Sequence, residues 1–210
     1  MHLEHRHVEK MTHYEGSARV PLIVAGPGIK PHTETTLVSL LDIFASFVDV
    51  AGAAPPSFAD GFSLLPLLDI PSHDTRRRPP HVAAMAACDS LNAGQFMLRE
   101  GQWKLITYAT GDNARVFPPQ LFNVVADPWE MQNVAAANPD VVARMDEALR
   151  GEIDYAAVMK EYSRQGHEWA TRWTAAFPND GWKPLLRAAY RDFADSDEQK
   201  FAAWLRTGRG

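Results

Sequence analysis

The sequence predicts an α/β fold built in two steps: a strand–helix unit, then a small antiparallel sheet with packed helices. Three observations carry this. The run Val20-Pro21-Leu22-Ile23-Val24-Ala25 stops at Gly26-Pro27-Gly28, the pattern of a buried strand entering a loop. Leu37, Leu40, Leu41, Phe44, Phe47 and Val48 recur at three- and four-residue spacing, which predicts a largely buried helix over 37–50. Gln95–Glu100 and Trp103–Tyr108 flank Gly101-Gln102, and a glycine-first two-residue loop suits a tight hairpin.

The remaining elements follow in chain order. Thr35 or Thr36 can cap the first helix, and Gly52 lies just past its end. A proline-rich connection then leads to Arg76-Arg77-Arg78, which reads as a solvated loop. Gln120-Leu121-Phe122-Asn123 fits a third strand of the second sheet, and Asp127-Pro128-Trp129-Glu130 a turn. Asn138-Pro139 gives a cap and a first-turn proline, with Val141, Val142, Met145 and Leu149 as the apolar stripe behind it. Ser196 can cap a last helix through Phe201, Trp204 and Leu205. The expected organisation is three parts: residues 1–80 as an α/β portion, 81–150 as the antiparallel-sheet subdomain, and 151–210 as a helical, Trp-rich tail.

Composition narrows the function classes. The chain has 210 residues, 46% of them apolar, which is enough for a real core. With 21 Lys and Arg against 26 Asp and Glu the net charge is −5, so no basic surface recommends nucleic acid as a partner. No apolar run reaches the roughly 18–20 residues of a membrane helix, and no membrane partner is expected. Cys88 is the single cysteine, so there is no disulfide framework and no cysteine-rich zinc site. His2, His5, His7 and His13 crowd the first thirteen residues, but their spacing fits no zinc motif.

Lys10-Met11-Thr12-His13-Tyr14-Glu15-Gly16-Ser17-Ala18-Arg19-Val20-Pro21, running on to Gly26-Pro27-Gly28, resembles a signature of the type I sulfatases, within the alkaline phosphatase superfamily. Four further stretches resemble the family in the same order: Leu37-Val38-Ser39-Leu40-Leu41-Asp42, Asp60-Gly61-Phe62-Ser63-Leu64-Leu65-Pro66, Met97-Leu98-Arg99 with Trp103-Lys104-Leu105-Ile106, and Leu121-Phe122-Asn123 with Asp127-Pro128-Trp129-Glu130 and Asn133-Val134-Ala135. The resemblance spans residues 3–150 and implies the C-terminal part of an alkaline-phosphatase-like sulfatase fold. Glu4-His5-Arg6 and the Trp-rich tail are most similar to the glucuronate-sulfatase branch of the arylsulfatases.

That resemblance implies a sulfuric ester hydrolase acting on a sulfate-ester small molecule or a sulfated sugar. It places Lys10 as the sulfate-contacting lysine, a compact charge able to neutralise the developing anion, and His5 at the mouth of the pocket. Both are catalytic and substrate-binding candidates, and Trp169, as a stacking surface for sugar, is a third binding candidate. Glu15 and Arg19 are expected to fix the loop by ion pairing.

The family's cofactors are calcium and a formylglycine nucleophile made from a Cys/Ser-x-Pro-x-Arg motif. Cys88 precedes Asp89-Ser90-Leu91-Asn92, so that motif is missing, and most calcium ligands are too. The chain is therefore expected to be inactive alone, and to self-associate through an exposed sheet edge. Family members are often secretory, lysosomal or periplasmic, and the sequence assigns no compartment. Where relatives carry Ser-Glu-x-His, this chain has Ala84-Met85-Ala86-Ala87. Two alternatives remain: a non-catalytic module binding a sulfated sugar or a partner, and a phosphonate or phosphate ester hydrolase of the same superfamily.

Overall fold

A computed structural model describes His5 and residues 12–88, 93–110, 117–189 and 195–207. At its centre is a four-stranded antiparallel meander, β1 (His81–Cys88), β2 (Ala93–Glu100), β3 (Trp103–Thr110) and β4 (Gln120–Asn123), in the order β1-β2-β3-β4. Glu100 pairs with Trp103 across the β2–β3 turn, and Gly101 takes the left-handed conformation there at φ 51°. The predicted hairpin and third strand therefore form. β1 is an addition that sequence reading did not supply. Val-Ala-Ala-Met-Ala-Ala carries little strand preference of its own, and pairing with β2 along its whole length sets its conformation.

Strand periodicity splits the sheet's side chains between two layers. On one face Phe96, Leu98, Leu105, Ala109 and Leu121 pack with Met145, Leu149, Tyr155 and Met159. The last four come from α3 (Pro139–Glu152) and α4 (Tyr155–Ala175). On the other face Met97, Ile106, Phe122 and Val124 pack with Tyr14. That face is covered by the one-turn helix α1 (Glu15–Ala18) and the residues leading into it. Pro139 opens α3 as expected, but the Asn138 amide donates to the Val134 carbonyl instead of capping it. α5 (Trp182–Ala189) and α6 (Asp195–Thr207) close the described chain. His167 of α4 contacts the Leu205 carbonyl and the Trp204 ring of α6.

Three expectations for the first eighty residues need correction. Val20–Ala25 is not a buried strand: it is irregular and exposed, with Ile23 at 90%. A strand needs a neighbour to accept its ladder bonds, and none of the described strands lies beside it. Next, α2 (Leu41–Val50) starts four residues later than predicted, and its apolar stripe is not buried. Leu40, Leu41, Phe44, Phe47 and Val50 face outward, while Asp42, Ala45 and Asp49 are buried. Neither Thr35 nor Thr36 caps it; the Glu34 carboxylate takes their amides, and Asp42 reaches back to the Ser39 amide at 2.8 Å.

The arginine run is the third correction. Arg77 is exposed, but extended backbone turns Arg76 and Arg78 inward. Arg78 meets Asp42 at 2.6 Å and the carbonyls of Phe62 and Ser63; Arg76 meets Asp74 at 2.9 Å and the carbonyls of Ala59 and Gly61. Arg76 and Arg78 both stack on the Phe62 ring. The guanidinium of Arg76 holds the Asp74 carboxyl far below the usual carboxylate range. The run is a clamp that ties the 59–63 loop to α2. Gly61 is pressed against the start of that helix, where a Cβ would lie 2.1 Å from the Leu41 carbonyl oxygen.

Candidate active-site segment

The residues that carry the signature dock on the sheet through a buried ion cluster. Lys104 is a β3 residue whose side chain points to the face opposite α3 and α4, and only 1% of it meets solvent. Its ammonium lies 2.5 Å from Glu15 and 2.8 Å from Glu130, and donates to the His13 carbonyl at 2.9 Å. The second Glu130 oxygen accepts the Glu15 amide at 2.5 Å. Burial of a lysine at this depth is tolerable only with such partners. Glu130 is presented by the Asp127-Pro128-Trp129-Glu130 turn, where it takes a left-handed conformation at φ 54°.

Arg99 stands opposite Lys104 in the β2–β3 register. Two like charges side by side would repel, and Glu15 and Glu130 offset them. Burial lowers the Arg99 pKa, and the two glutamates partly oppose that shift. Arg19 lies 3.6 Å from Glu15 on the solvent side. The ion-pairing role expected for Glu15 and Arg19 is therefore present. Lys104 and Glu130, the other members, had no assigned role, although a lysine inside Trp-Lys-Leu-Ile is the sequence sign of a charge taken into a sheet.

Two neighbours complete the docking. The buried His13 ring lies 3.3 Å from the Gln95 carbonyl. Burial drives its pKa down to about 4, and the charge of Lys104 adds to the shift. Tyr14 exchanges hydrogen bonds with the Gln120 side chain at 3.0 and 3.3 Å. His5 stacks on Tyr14, with ring centroids 3.9 Å apart and planes 7° apart. His5 is thus brought to the docked segment, half-buried at its edge.

Lys10, His2 and His7 lie outside the described residues, as do Asp89–Asn92 after Cys88. Cys88 ends β1, and its side chain is likewise outside the description. Trp169 is 64% exposed on α4, the helix packed on the opposite face of the sheet from His13–Glu15.

Among the described residues no group of three or more His, Cys, Asp or Glu could hold a metal ion. These residues therefore do not fit a calcium site. The described helices include none long and apolar enough to cross a membrane.

Comparison with known proteins agrees with the motif reading. Residues 3–155 match the family model of the N-sulphoglucosamine sulphohydrolase C-terminal domain. The chain is 34% identical over 210 residues to arylsulfatase K of Danio rerio, covering 97% of this chain and 39% of that protein. It is 36% identical over 214 residues to arylsulfatase K of Homo sapiens, covering 98% and 39%. A crystal structure provisionally described as a sulfatase from Bacteroides thetaiotaomicron shares the fold at a TM-score of 0.55 and 25% identity, over 75% of this chain and 33% of that one. The chain spans about two fifths of the length of the arylsulfatase K relatives. The buried clamp joins the first, fourth and fifth of the recognised motifs in one place, and the chain belongs to the sulfatases, to the family of the N-sulphoglucosamine sulphohydrolase C-terminal domain.

Proposed function

We propose that these residues form the C-terminal portion of a sulfuric ester hydrolase acting on sulfated sugars, with sulfated uronates as the favoured class. The reading rests on one observation above the others. The Glu15–Lys104–Glu130 cluster fixes the backbone at His13–Glu15, three residues after Lys10, against a rigid sheet. A point charge meant to meet a sulfate must be held in place before the substrate arrives, because mobile charge stabilises a transition state poorly.

In this reading the Lys10 ammonium neutralises charge on the sulfate oxygens. His5, oriented by its stack on Tyr14, lines the entrance and donates to the sugar. Formylglycine and calcium supply the attacking oxygen and the main positive charge in the family, and neither donor set is found among the described residues. The chain alone is accordingly inactive. The outward faces of Val20–Ala25 and α2 are the surface that the remaining portion of a sulfatase covers. The two-fifths coverage of the relatives supports that assignment.

The test is hydrolysis of 4-nitrocatechol sulfate with calcium present. One sample is this chain alone. The other is the chain joined behind a sulfatase N-terminal portion and co-expressed with a formylglycine-generating enzyme. Activity only in the joined protein, lost in Lys10→Ala, is the expected result. Turnover by this chain alone overturns the reading. Binding of a sulfated sugar with no turnover in either sample supports the non-catalytic module instead.

A further inference from the structure

The segment from Val20 to Thr36 is exposed apart from the half-buried Ile29, and it contains no helix or strand. A stretch with so few buried contacts depends on polar ties for its position. His32 supplies a tie that crosses 35 residues of sequence. Its Nε2 lies 3.2 Å from the carbonyl of Leu67, in the one-turn 3-10 helix Leu65–Leu68. Its Nδ1 lies 2.9 Å from the carbonyl of Lys30, within its own segment. The far side of the tie is firm. Leu64 and Leu65 are buried, and the Leu64 amide donates to the Ser46 hydroxyl of α2 at 2.9 Å.

The two carbonyls select one charge state of the ring. A carbonyl oxygen only accepts hydrogen bonds, and a neutral imidazole has a single N–H, its other nitrogen bearing a lone pair. The imidazolium alone can donate to both. In the neutral ring one of the two contacts sets a lone pair against a carbonyl oxygen, and that contact is lost. The bonds to the Lys30 and Leu67 carbonyls raise the His32 pKa above its ordinary 6.5, desolvation opposes them, and the charges of Glu34 and Asp69 add to the rise. Glu34 belongs to the same segment as His32, and Asp69 follows the 65–68 turn. Glu34 is itself fixed as an anion. The Thr36 hydroxyl donates to it at 2.7 Å and the Thr36 and Thr35 amides at 2.8 Å, which holds its carboxyl below the usual range.

We infer that His32 is a proton-operated latch, fastening the 26–36 segment to the 65–68 turn when its ring is charged and releasing it when the ring is neutral. The folded chain binds this proton more tightly than the unfolded chain. The latch is therefore complete below pH 6.5 and is lost as pH rises through the higher folded value. His13 works in the opposite direction, since acid weakens its docking. The outward run Val20–Ala25 enters the latched segment directly, so it is held on the acid side and freed on the alkaline side. None of this depends on the sulfatase reading, because the latch needs neither Lys10 nor turnover.

The experiment follows the full chain by mass spectrometry between about pH 5 and pH 9, the range in which a histidine titrates. Slow exchange of the imidazole C2 hydrogen reports the His32 pKa. Thermolysin cleavage between Gly28 and Ile29, relative to a free peptide of residues 24–36 at the same pH, reports release of the segment. In the parent His32 titrates above 6.5, and relative cleavage rises severalfold through that titration. His32→Ala is cleaved at the faster rate across the whole range. His32→Arg, which keeps two donors and a permanent charge, is cleaved at the slower rate throughout. Titration of His32 at or below 6.5 overturns the inference. So does slow cleavage of His32→Ala at the acid end, or a pH-dependent rise that survives in His32→Arg, which would assign the release to another group.

Discussion

The Lys104 ammonium lies 2.8 Å from Glu130 with almost none of its side chain in solvent, and Glu15 approaches the same ammonium at 2.5 Å. Replacing Lys104 by Met leaves two carboxylates facing each other without a cation. Breaking a buried pair from one side costs about 3–5 kcal/mol. Lys104→Met is expected to lower stability by that order in denaturant titration and to release the 13–15 segment to hydrogen exchange. Unchanged protection of Tyr14 and Glu15 would show that the clamp does not hold the segment.

Asp42 and Arg78 pose the same question in the first eighty residues. Asp42 accepts from Arg78 at 2.6 Å and from the Phe62 amide at 2.8 Å while nearly fully buried. Asp42→Ala strands a mostly buried guanidinium, and a loss of about 3 kcal/mol is expected. The double variant Asp42→Ala with Arg78→Met is expected to recover part of that loss, since both charges leave together. A thermal melt of the parent, Asp42→Ala, Arg78→Met and the double variant checks this, and additive losses would count against a coupled pair.

The pH dependence has two windows. Burial and the Lys104 charge lower the His13 pKa from 6.5 to about 4, so between those values the unfolded chain binds the proton and the folded chain does not. Stability therefore falls as pH drops from 6.5 to 4, by up to about 3 kcal/mol at 1.36 kcal/mol per unit. His13→Gln is expected to flatten the profile in that window. Burial raises the Asp49 pKa, but hydrogen bonds from Ser63, Ser72 and His73 outweigh it and bring it down to about 2. Its contribution is complete above pH 3.8 and is lost as pH falls through 2. Chemical denaturation from pH 2 to 7 resolves both, and a His13→Gln profile parallel to the parent would refute the first.

Gly61 packs where any side chain collides with backbone. The Leu41 carbonyl oxygen would lie 2.1 Å from an added Cβ, and backbone cannot step aside as a flexible side chain can. Gly61→Ala is expected to destabilise by about 2 kcal/mol or more, within the range for overpacking. A melting temperature unchanged from the parent would contradict the close approach.

The outward face of α2 leads to an association prediction. Phe47 is 70% exposed, with Leu40, Leu41, Phe44 and Val50 also outward. Apolar surface on this scale seeks a partner. The chain alone is expected to form oligomers in light scattering, and Phe47→Glu to shift it toward the monomer. A parent chain monomeric at all concentrations would show that the face needs no cover.

The sequence was most informative where neighbours in the chain are neighbours in space. The 95–108 hairpin and the stripe of α3 need only local spacing, and both are present. Strand β1 was not legible because its alanines take their conformation from β2. The burial of α2 was misread for a related reason. Apolar spacing identifies the face that wants cover, but not whether the cover lies within the same chain. Arg76 and Arg78 were misread because, apart from Asp74, the partners that turn them inward, Asp42 and the 59–63 carbonyls, lie 15 or more residues away in sequence. At the candidate site, motif resemblance singled out Glu15 as an ion-pairing residue, but not Lys104 as the cation that joins it to the sheet.

The meander has a consequence for the order of assembly. Each strand pairs with the next in sequence, so the sheet closes through short loops at little entropic cost. The signature segment instead reaches its partners across 82 residues at His13–Gln95 and 115 at Glu15–Glu130. Its docking must wait for β2, β3 and the Glu130 turn to exist. Pulsed hydrogen exchange should show β2 and β3 amides protected before those of Tyr14 and Glu15. Residues 13–15 precede the sheet in the sequence and are fixed in place after it, so the sheet acts as a gate on the docking of the signature segment.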